Sequence, residues 1–453
     1  MRKLLQYFNQ TNILKYGLAA ILLAIPIYPK FPLFNIPGTY VAVRAEDFLI
    51  FSLGFYWLTS VFRFCSKKMF RDELVQAMLL FFAVGLLSIV SAIFLTHSVK
   101  PHLGFFHWFR RVEYILPFFI SLSAVWVLKR VKFFGETLFA GSLFVFIYGL
   151  GQIYLHWPVI STQNQEYAKG LALRWIPGAR LHSTFGGHYD LAAFLVLLLP
   201  LAVAFFFNYK KWSRKLLLFV FSIVPSFWLL LKTESRVSFI AVLVGVSLTL
   251  WFLKKKIFIA PVLIISVGVA LLFTGLGDRY KYSFETYWRK INSVPKINLV
   301  VKSAWAQTGE LRKKEDAVPV PLEDRSTSIR LNMEWPRAIR AFLKNPLLGT
   351  GYSSITLATD NDYLRLLGEV GLVGSLAFFL VILRLFHRLC WFFRTKIGGL
   401  DRAFVAGFLG GFAGILINAI FIDVFEASKV AIIFWTLAGI AVGIVDVKEA
   451  KNG

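Results

Sequence analysis

Apolar runs of about twenty residues, each closed by a cluster of charged or Pro/Gly positions, recur along almost the whole chain. A helix that crosses a bilayer needs roughly 20 apolar residues, so this spacing predicts about twelve membrane helices. They fall at 13–29, 47–64, 74–96, 112–128, 134–155, 189–207, 215–231, 237–253, 257–275, 363–387, 403–422 and 429–446. The expected fold class is all-α, a polytopic transmembrane helical bundle. Two connections are too long to be simple turns, 156–188 and 276–362, and loops of that length are usually functional. Within the second, Trp335, Ile339, Phe342 and Leu343 recur at helical spacing. Ile329 to Leu343 therefore reads as an amphipathic helix on the membrane interface, ended by Asn345-Pro346.

Composition agrees with a bilayer as solvent. Hydrophobic residues make up 57% of the 453 positions and the mean hydropathy is +0.65, against roughly 45–50% apolar for soluble domains. The net charge of +25 and pI near 10.0 first suggest nucleic acid, but such binders gather Lys and Arg on one soluble face. Here the basic residues punctuate alternate short connections. They are Arg63, Lys67, Lys68 and Arg71; Lys129, Arg130 and Lys132; Lys210, Lys211, Arg214 and Lys215; Lys254 to Lys256; and Arg388, Arg394, Lys396 and Arg402. The positive-inside rule places these, and both termini, in the cytoplasm, with the long loops on the outward face of an inner membrane. No nucleic-acid partner is expected; the remaining basic excess suits membrane lipids or anionic substrates.

The rest of the organisation is brief. Cys65 and Cys390 fall on the cytoplasmic side, where a structural disulfide is not expected. Pro26, Pro29 and Pro32 stand where a signal peptide would have its cleavage site, so the first segment reads as a retained helix. The expected division is residues 1–155 as N-terminal transmembrane helices, 156–388 as a core with both outward loops, and 389–453 as C-terminal transmembrane helices. No internal repeat of the kind found in paired transporter halves is visible.

Four outward arginines stand beside apolar segments: Arg44, Arg111, Arg180 and Arg236. An arginine near hydrocarbon needs a partner or must snorkel to the surface. Neighbouring acids Glu46, Asp47, Glu113 and Glu234 fit local ion pairs. The sharper reading gathers several guanidinium forks on a diphosphate. In Arg180-Leu-His-Ser-Thr-Phe-Gly-Gly-His-Tyr-Asp190, polar Gly-rich backbone precedes a helix and suits an anion or sugar. His182 and His188 lack a clear third metal ligand, so no metal is assigned, and Gly186-Gly187 reads as a tight turn.

The most specific signal is Asn345-Pro-Leu-Leu-Gly-Thr-Gly-Tyr352, then Asp360-Asn-Asp-Tyr363 and Leu-Arg-Leu-Leu-Gly-Glu-Val-Gly371 entering a helix. Together with Arg180 before Ser183-Thr184-Phe185, Ser235-Arg236, and Arg330 before Trp335, this order resembles the O-antigen ligase and polymerase family of membrane glycosyltransferases. The resemblance covers roughly 180–379 by motif and the whole chain by topology. It implies a GT-C-like bundle that transfers glycan, with inversion and without a metal or other cofactor, from a polyprenyl-diphosphate-linked donor to a glycan, lipid or protein acceptor during cell-surface polysaccharide assembly. The departing diphosphate then needs cationic clamps, and the acceptor hydroxyl needs a base. Arg236, Arg330 and Arg180 are the expected clamps, with Arg44 and Arg111 in the second rank. Arg365 either joins them or pairs with Glu369 four residues on.

Ligases of this family carry histidine where this chain has Asp360. Asp360 is therefore either the base or an N-cap to the helix beginning near Tyr363, with Asp362 and Glu369 as alternative bases, and Asn361 either binds sugar or caps. Ligase and polymerase differ only in the acceptor. A transporter or flippase for lipid-linked sugars is the competing class; it would call for a midplane site between broken helices. A scaffold leaves the cluster of Asp360, Asn361, Arg330 and Arg236 unexplained.

Overall fold

The structure is a computed structural model that describes residues 10–35, 42–128, 131–162, 172–273, 328–356, 358–394 and 398–452. The expected charge-mixed stretch from Thr308 onward, as far as residue 327, and the basic positions Lys129, Arg130 and Lys396 lie outside them.

Helices α1 (Gln10–Ile27), α2 (Ala45–Tyr56), α3 (Phe62–Phe70), α4 (Glu73–Phe94), α5 (Pro101–Leu128) and α6 (Val131–Tyr154) form the first half. A wider turn, Trp57–Val61, joins α2 to α3. They are followed by α7 (His188–Asn208), α8 (Trp212–Leu218), α9 (Val224–Thr233), α10 (Arg236–Phe252), α11 (Ile259–Phe273), α12 (Trp335–Lys344), α13 (Asp362–Phe392), α14 (Gly399–Asn418) and α15 (Ser428–Asn452). Two short antiparallel ribbons, β1 (Phe34–Asn35) with β2 (Ala42–Val43) and β3 (Val159–Ile160) with β4 (Ala172–Leu173), lie in connections between helices. Among the described residues eight helical stretches are long and apolar enough to cross a membrane, and three shorter apolar helices accompany them. The chain is a multi-pass helical membrane protein. The largest departure from the expected boundaries is α5, which begins at Pro101 rather than near residue 112 and so carries Arg110 and Arg111 within a helix.

Helices α7 and α15 are apolar on every face and are buried by their neighbours, as such helices must be. Close approach is achieved with small residues. On α14, Gly407, Gly411 and Gly414 lie against α7, while Gly410 meets the backbone of Gly245 on α10. Gly439 and Gly443 of α15 rest on the backbone of α5.

The two ends of the bundle differ. At one end Arg388 bridges Asp72 and Asp446, Trp126 Nε1 donates to Asp446 at 2.9 Å, and Lys68 lies 3.9 Å from the Trp126 ring. At the other end the turn after α12 docks onto α13. Thr350 N donates to Gly368 O (2.9 Å), Gly351 N to Glu369 O (2.7 Å) and Leu372 N to Pro346 O (2.8 Å). The Asn345–Gly351 turn and the Glu369–Gly371 stretch, read separately in the sequence, are thus one interlocked unit. Gly371 makes it possible: its φ of 66° breaks the helix, and a Cβ there would sit 2.5 Å from Gly349 N.

Helix α12 is amphipathic as expected and stops at Asn345. Its buried contact is Ala338, beneath which Gly368 of α13 packs, while Ile339 and Leu343 face outward.

Replacing Gly371 with Ala adds left-handed strain and a backbone overlap at once. The expected loss is roughly 2–4 kcal/mol, read as a lowered thermal midpoint of the purified protein; Gly268→Ala on α11, where an added Cβ meets nothing within 4 Å, serves as the comparison.

Candidate functional site

The interlocked turn delivers the chain to Asp360 in a left-handed conformation, φ 49°. The next residue, Asn361, is the N-cap of α13: its Oδ1 accepts from Leu364 N at 3.0 Å. The alternative reading of Asp360 as the N-cap is corrected. Capping goes to Asn361, because only its extended backbone lets a side-chain oxygen reach back over the first turn.

Freed from capping, Asp360 meets Arg330. Arg330 Nε and Nη2 both donate to Asp360 Oδ2, at 3.1 and 2.8 Å. Arg330 is 8% exposed and opens the wider turn Arg330–Glu334 that leads into α12. Its guanidinium lies 5.6 Å from the Tyr189 ring on α7. Beside Tyr189, His188 Nε2 pairs with Arg180 Nη1 at 3.0 Å, and Arg180 Nε lies 3.9 Å from Glu234. Ser235 caps α10, and Arg236 is its first residue. Arg180, Arg330 and Asp360 are therefore gathered around the start of α7, and Arg236 follows Arg180's partner Glu234 by two residues. The His182 ring stacks on His188 with centroids 5.8 Å apart. Gly186 serves close packing against Thr162 rather than a positive-φ turn, which corrects the expected tight turn.

Burial pushes the Asp360 carboxyl above its ordinary value even though Arg330 pulls it down. Glu334, on the same turn as Arg330, is pushed up to about 7 by burial and then by the charge of Asp360. Burial keeps His182 below its usual range, against the pull of Asp190.

A second network lies directly beneath. Arg365 reaches Asp423 (3.3 Å), Glu369 (3.5 Å) and Glu426 (3.6 Å). Arg111 pairs with Glu426, approaches Glu369 at 3.9 Å and donates to Phe425 O at 3.2 Å. The expected pairing of Arg365 with Glu369 is present. The local acids do not pair with the side chains of Arg44 and Arg111: from Arg44, Asp47 Oδ2 accepts only the backbone N–H, at 2.9 Å, and Glu113, two residues on from Arg111 in α5, points to another face of the helix. Asp47 and Glu113 are both partners of Arg110, and Glu46 accepts from Ser428.

Asp423 and Glu426, in the connection between α14 and α15, were not singled out in the sequence, although two acids in so apolar a loop are a visible signal. Asp423 Oδ2 accepts from Thr359 N (2.9 Å) and Oδ1 from Asn361 N (3.0 Å), one amide on each side of Asp360. Asp362 N donates to Ala419 O, and Asp362 Oδ2 accepts from Phe425 N at 3.1 Å. Asp362 and Glu369 are thus buried structural acids. Of the three acids expected as bases, Asp360 is the most exposed, with a quarter of its side chain open.

Arg44 stands at the start of α2 and lines a separate cavity with His107, Arg110 and Arg111. Among the described residues no three His, Cys, Asp or Glu side chains are arranged to hold a metal ion.

Residues 221–379 match the family model described as O-Antigen ligase. The match contains Arg236, Arg330, Asp360, Asn361 and Arg365; Arg44, Arg111 and Arg180 lie before it. No curated protein matches the chain. Over these residues the resemblance to the O-antigen ligase and polymerase family holds, and the chain carries an O-antigen ligase domain.

Asp423→Ala removes the acceptor of two buried amides and a partner of Arg365. The expected destabilisation is roughly 2–4 kcal/mol, with a smaller loss for Asp423→Asn, which keeps side-chain acceptor capacity; thermal unfolding of the two variants checks the order.

Proposed function

We propose, from the O-antigen ligase domain that the chain carries, that it transfers or polymerises glycan from a polyprenyl-diphosphate-linked donor onto an acceptor hydroxyl in cell-surface polysaccharide assembly. The reading places the site on the outward face of an inner membrane, with about twelve spans and both termini inside. The observation that carries it is the Arg330–Asp360 pair, a buried guanidinium beside a partly exposed carboxylate, with Arg180 close by and the pair inside the matched domain.

The chemistry follows from what each group has left to give. Arg330 spends Nε and Nη2 on one oxygen of Asp360 and also engages Tyr189, and the rest of its five N–H groups face phosphate oxygens. Arg236 and Arg180 complete the clamp. Asp360 Oδ1, which has no partner among the described residues, accepts the acceptor's proton as that hydroxyl oxygen attacks the anomeric carbon. The bond from that carbon to the diphosphate oxygen breaks, and its electron pair departs on the diphosphate, whose charge the arginines stabilise. Attack opposite the leaving group inverts the anomeric configuration. No step calls for a metal or cofactor. Asn361, tied down as the N-cap, supports Asp360 and leaves its amide nitrogen available to sugar hydroxyls.

Asp360 acts only when ionised, so kcat/KM should fall as pH drops through its raised pKa, at a pH above the roughly 3.9 of an ordinary aspartate. Asp360→Asn should lower kcat about 10²–10⁴-fold. Asp360→His should keep part of the activity and move the acid limb toward the histidine range; an unchanged profile in both variants would overturn Asp360 as base. In cells, Arg330→Lys keeps the charge but loses the fork, and should shorten or abolish surface glycan on gels. Wild-type glycan in Arg330→Ala and Arg236→Ala would exclude the clamp.

A further inference from the structure

Several buried polar atoms near Asp360 have no hydrogen-bond partner among the described residues: Glu334 Oε2, Trp335 Nε1, Arg337 Nη1, Thr359 Oγ1, and both Oδ1 and Nδ2 of Asn418. Thr359 and Asn418 are completely enclosed. An indole N–H, a hydroxyl and an amide at such depth are normally paired, and leaving them open is costly. None of these atoms takes part in the clamp or in the proton transfer to Asp360.

The open atoms flank one seam. Trp335 begins α12 with its ring 6.3 Å from that of Phe421, and Phe421 N donates to Asn418 O at 2.9 Å. Glu334, one residue earlier, feels the charges of Asp360, Asp423 and Arg337. Thr359 N is held by Asp423 Oδ2 at 2.9 Å. The start of α12 therefore faces Thr359 and the connection between α14 and α15. Asp360 stands at the edge of this seam. Its partner Arg330 reaches the other way, to Tyr189 on α7, beside the His188–Arg180 pair.

The mixture of open atoms selects a ligand class. A phosphate only accepts and an ammonium only donates, so neither satisfies a carboxylate oxygen, an indole N–H, a guanidinium N–H and a whole amide together. A hydroxyl both donates and accepts. Several hydroxyls on one ring, with apolar C–H faces to lie against Trp335 and Phe421, answer the whole set. We infer that Glu334, Trp335, Arg337, Thr359 and Asn418 form the subsite that binds the acceptor sugar, next to the hydroxyl that Asp360 deprotonates. The inference rests on the glycosyl-transfer reading and adds to it the residues that select the acceptor. A site of this kind discriminates strongly, because an analogue that lacks one hydroxyl leaves a buried polar atom unpaired.

The test uses the purified full-length protein in nanodiscs, a polyprenyl-diphosphate-linked oligosaccharide as donor and an alkyl glycoside of the same oligosaccharide as acceptor. Trp335→Phe and Thr359→Val keep much of the side-chain shape and each remove one open polar atom. Each should raise the KM for the acceptor about tenfold, leave the KM for the donor at the wild-type value, and hold the thermal midpoint at or above that of the wild type. Glu334→Gln, which keeps an acceptor oxygen, should raise the acceptor KM less. A wild-type acceptor KM in either Trp335→Phe or Thr359→Val, or an equal rise in both KM values, would overturn the subsite. A lowered thermal midpoint in either variant would assign its atom to structural water and overturn the subsite as well. Absence of transfer by the wild-type protein would instead sink the glycosyl-transfer reading, and the subsite with it.

Discussion

Asp423 ties together parts of the chain that are far apart in sequence. Its carboxylate takes the amides of Thr359 and Asn361 and the guanidinium of Arg365 at once, so the connection between α14 and α15 holds the start of α13 from outside the matched domain. A carboxylate in so apolar a place is stable only with full pairing, and breaking such a pair is far more disruptive than never having it. Every feature of the site inherits that constraint. Asp360 is held left-handed between two fixed amides, Asn361 is free to cap, and Asp362 is turned inward to Phe425 N.

Around that tie the charges sort into two layers. Arg111 and Arg365 are each shared among the acids Glu369, Asp423 and Glu426, which makes one connected ion-pair network. Arg180, His188, Arg330 and Asp360 stand above it, in contacts that leave donor and acceptor positions unused. Preorganised cations stabilise a departing anion without reorganising at the moment of reaction. The backbone interlock at Gly349 and Gly371 joins the two glycine-bearing motifs into one packed unit.

Much of this was legible in the sequence, for identifiable reasons. Membrane helices announce themselves by length and apolarity, so α4, α7, α13 and α15 fall close to their expected spans. Arg180 was visible as a charge beside an apolar run, and Arg330 and Asp360 through the motifs that resemble the O-antigen ligase and polymerase family. Their partners were not. Arg44 and Arg111 stand near acids in sequence, yet Asp47 and Glu113 both turn to Arg110, since ion pairing follows the direction of a side chain rather than its spacing. Asp423 and Glu426 carry no spacing signal toward Asp360, because their relation is set by how α14 and α15 pack against α13. The start of α5 was missed for a related reason: its first turns are polar enough to read as loop, and tertiary pairing of Arg110 and Arg111 holds them helical.

The most direct test of the account is a reconstituted reaction in a chelating buffer, with purified protein, a polyprenyl-diphosphate-linked oligosaccharide and a hydroxyl acceptor. Released polyprenyl diphosphate and the anomeric configuration of the product are followed together. The account predicts one diphosphate released for each new glycosidic bond, with inversion. Movement of intact donor across the membrane with no bond formed, or retention of configuration in the product, would contradict it.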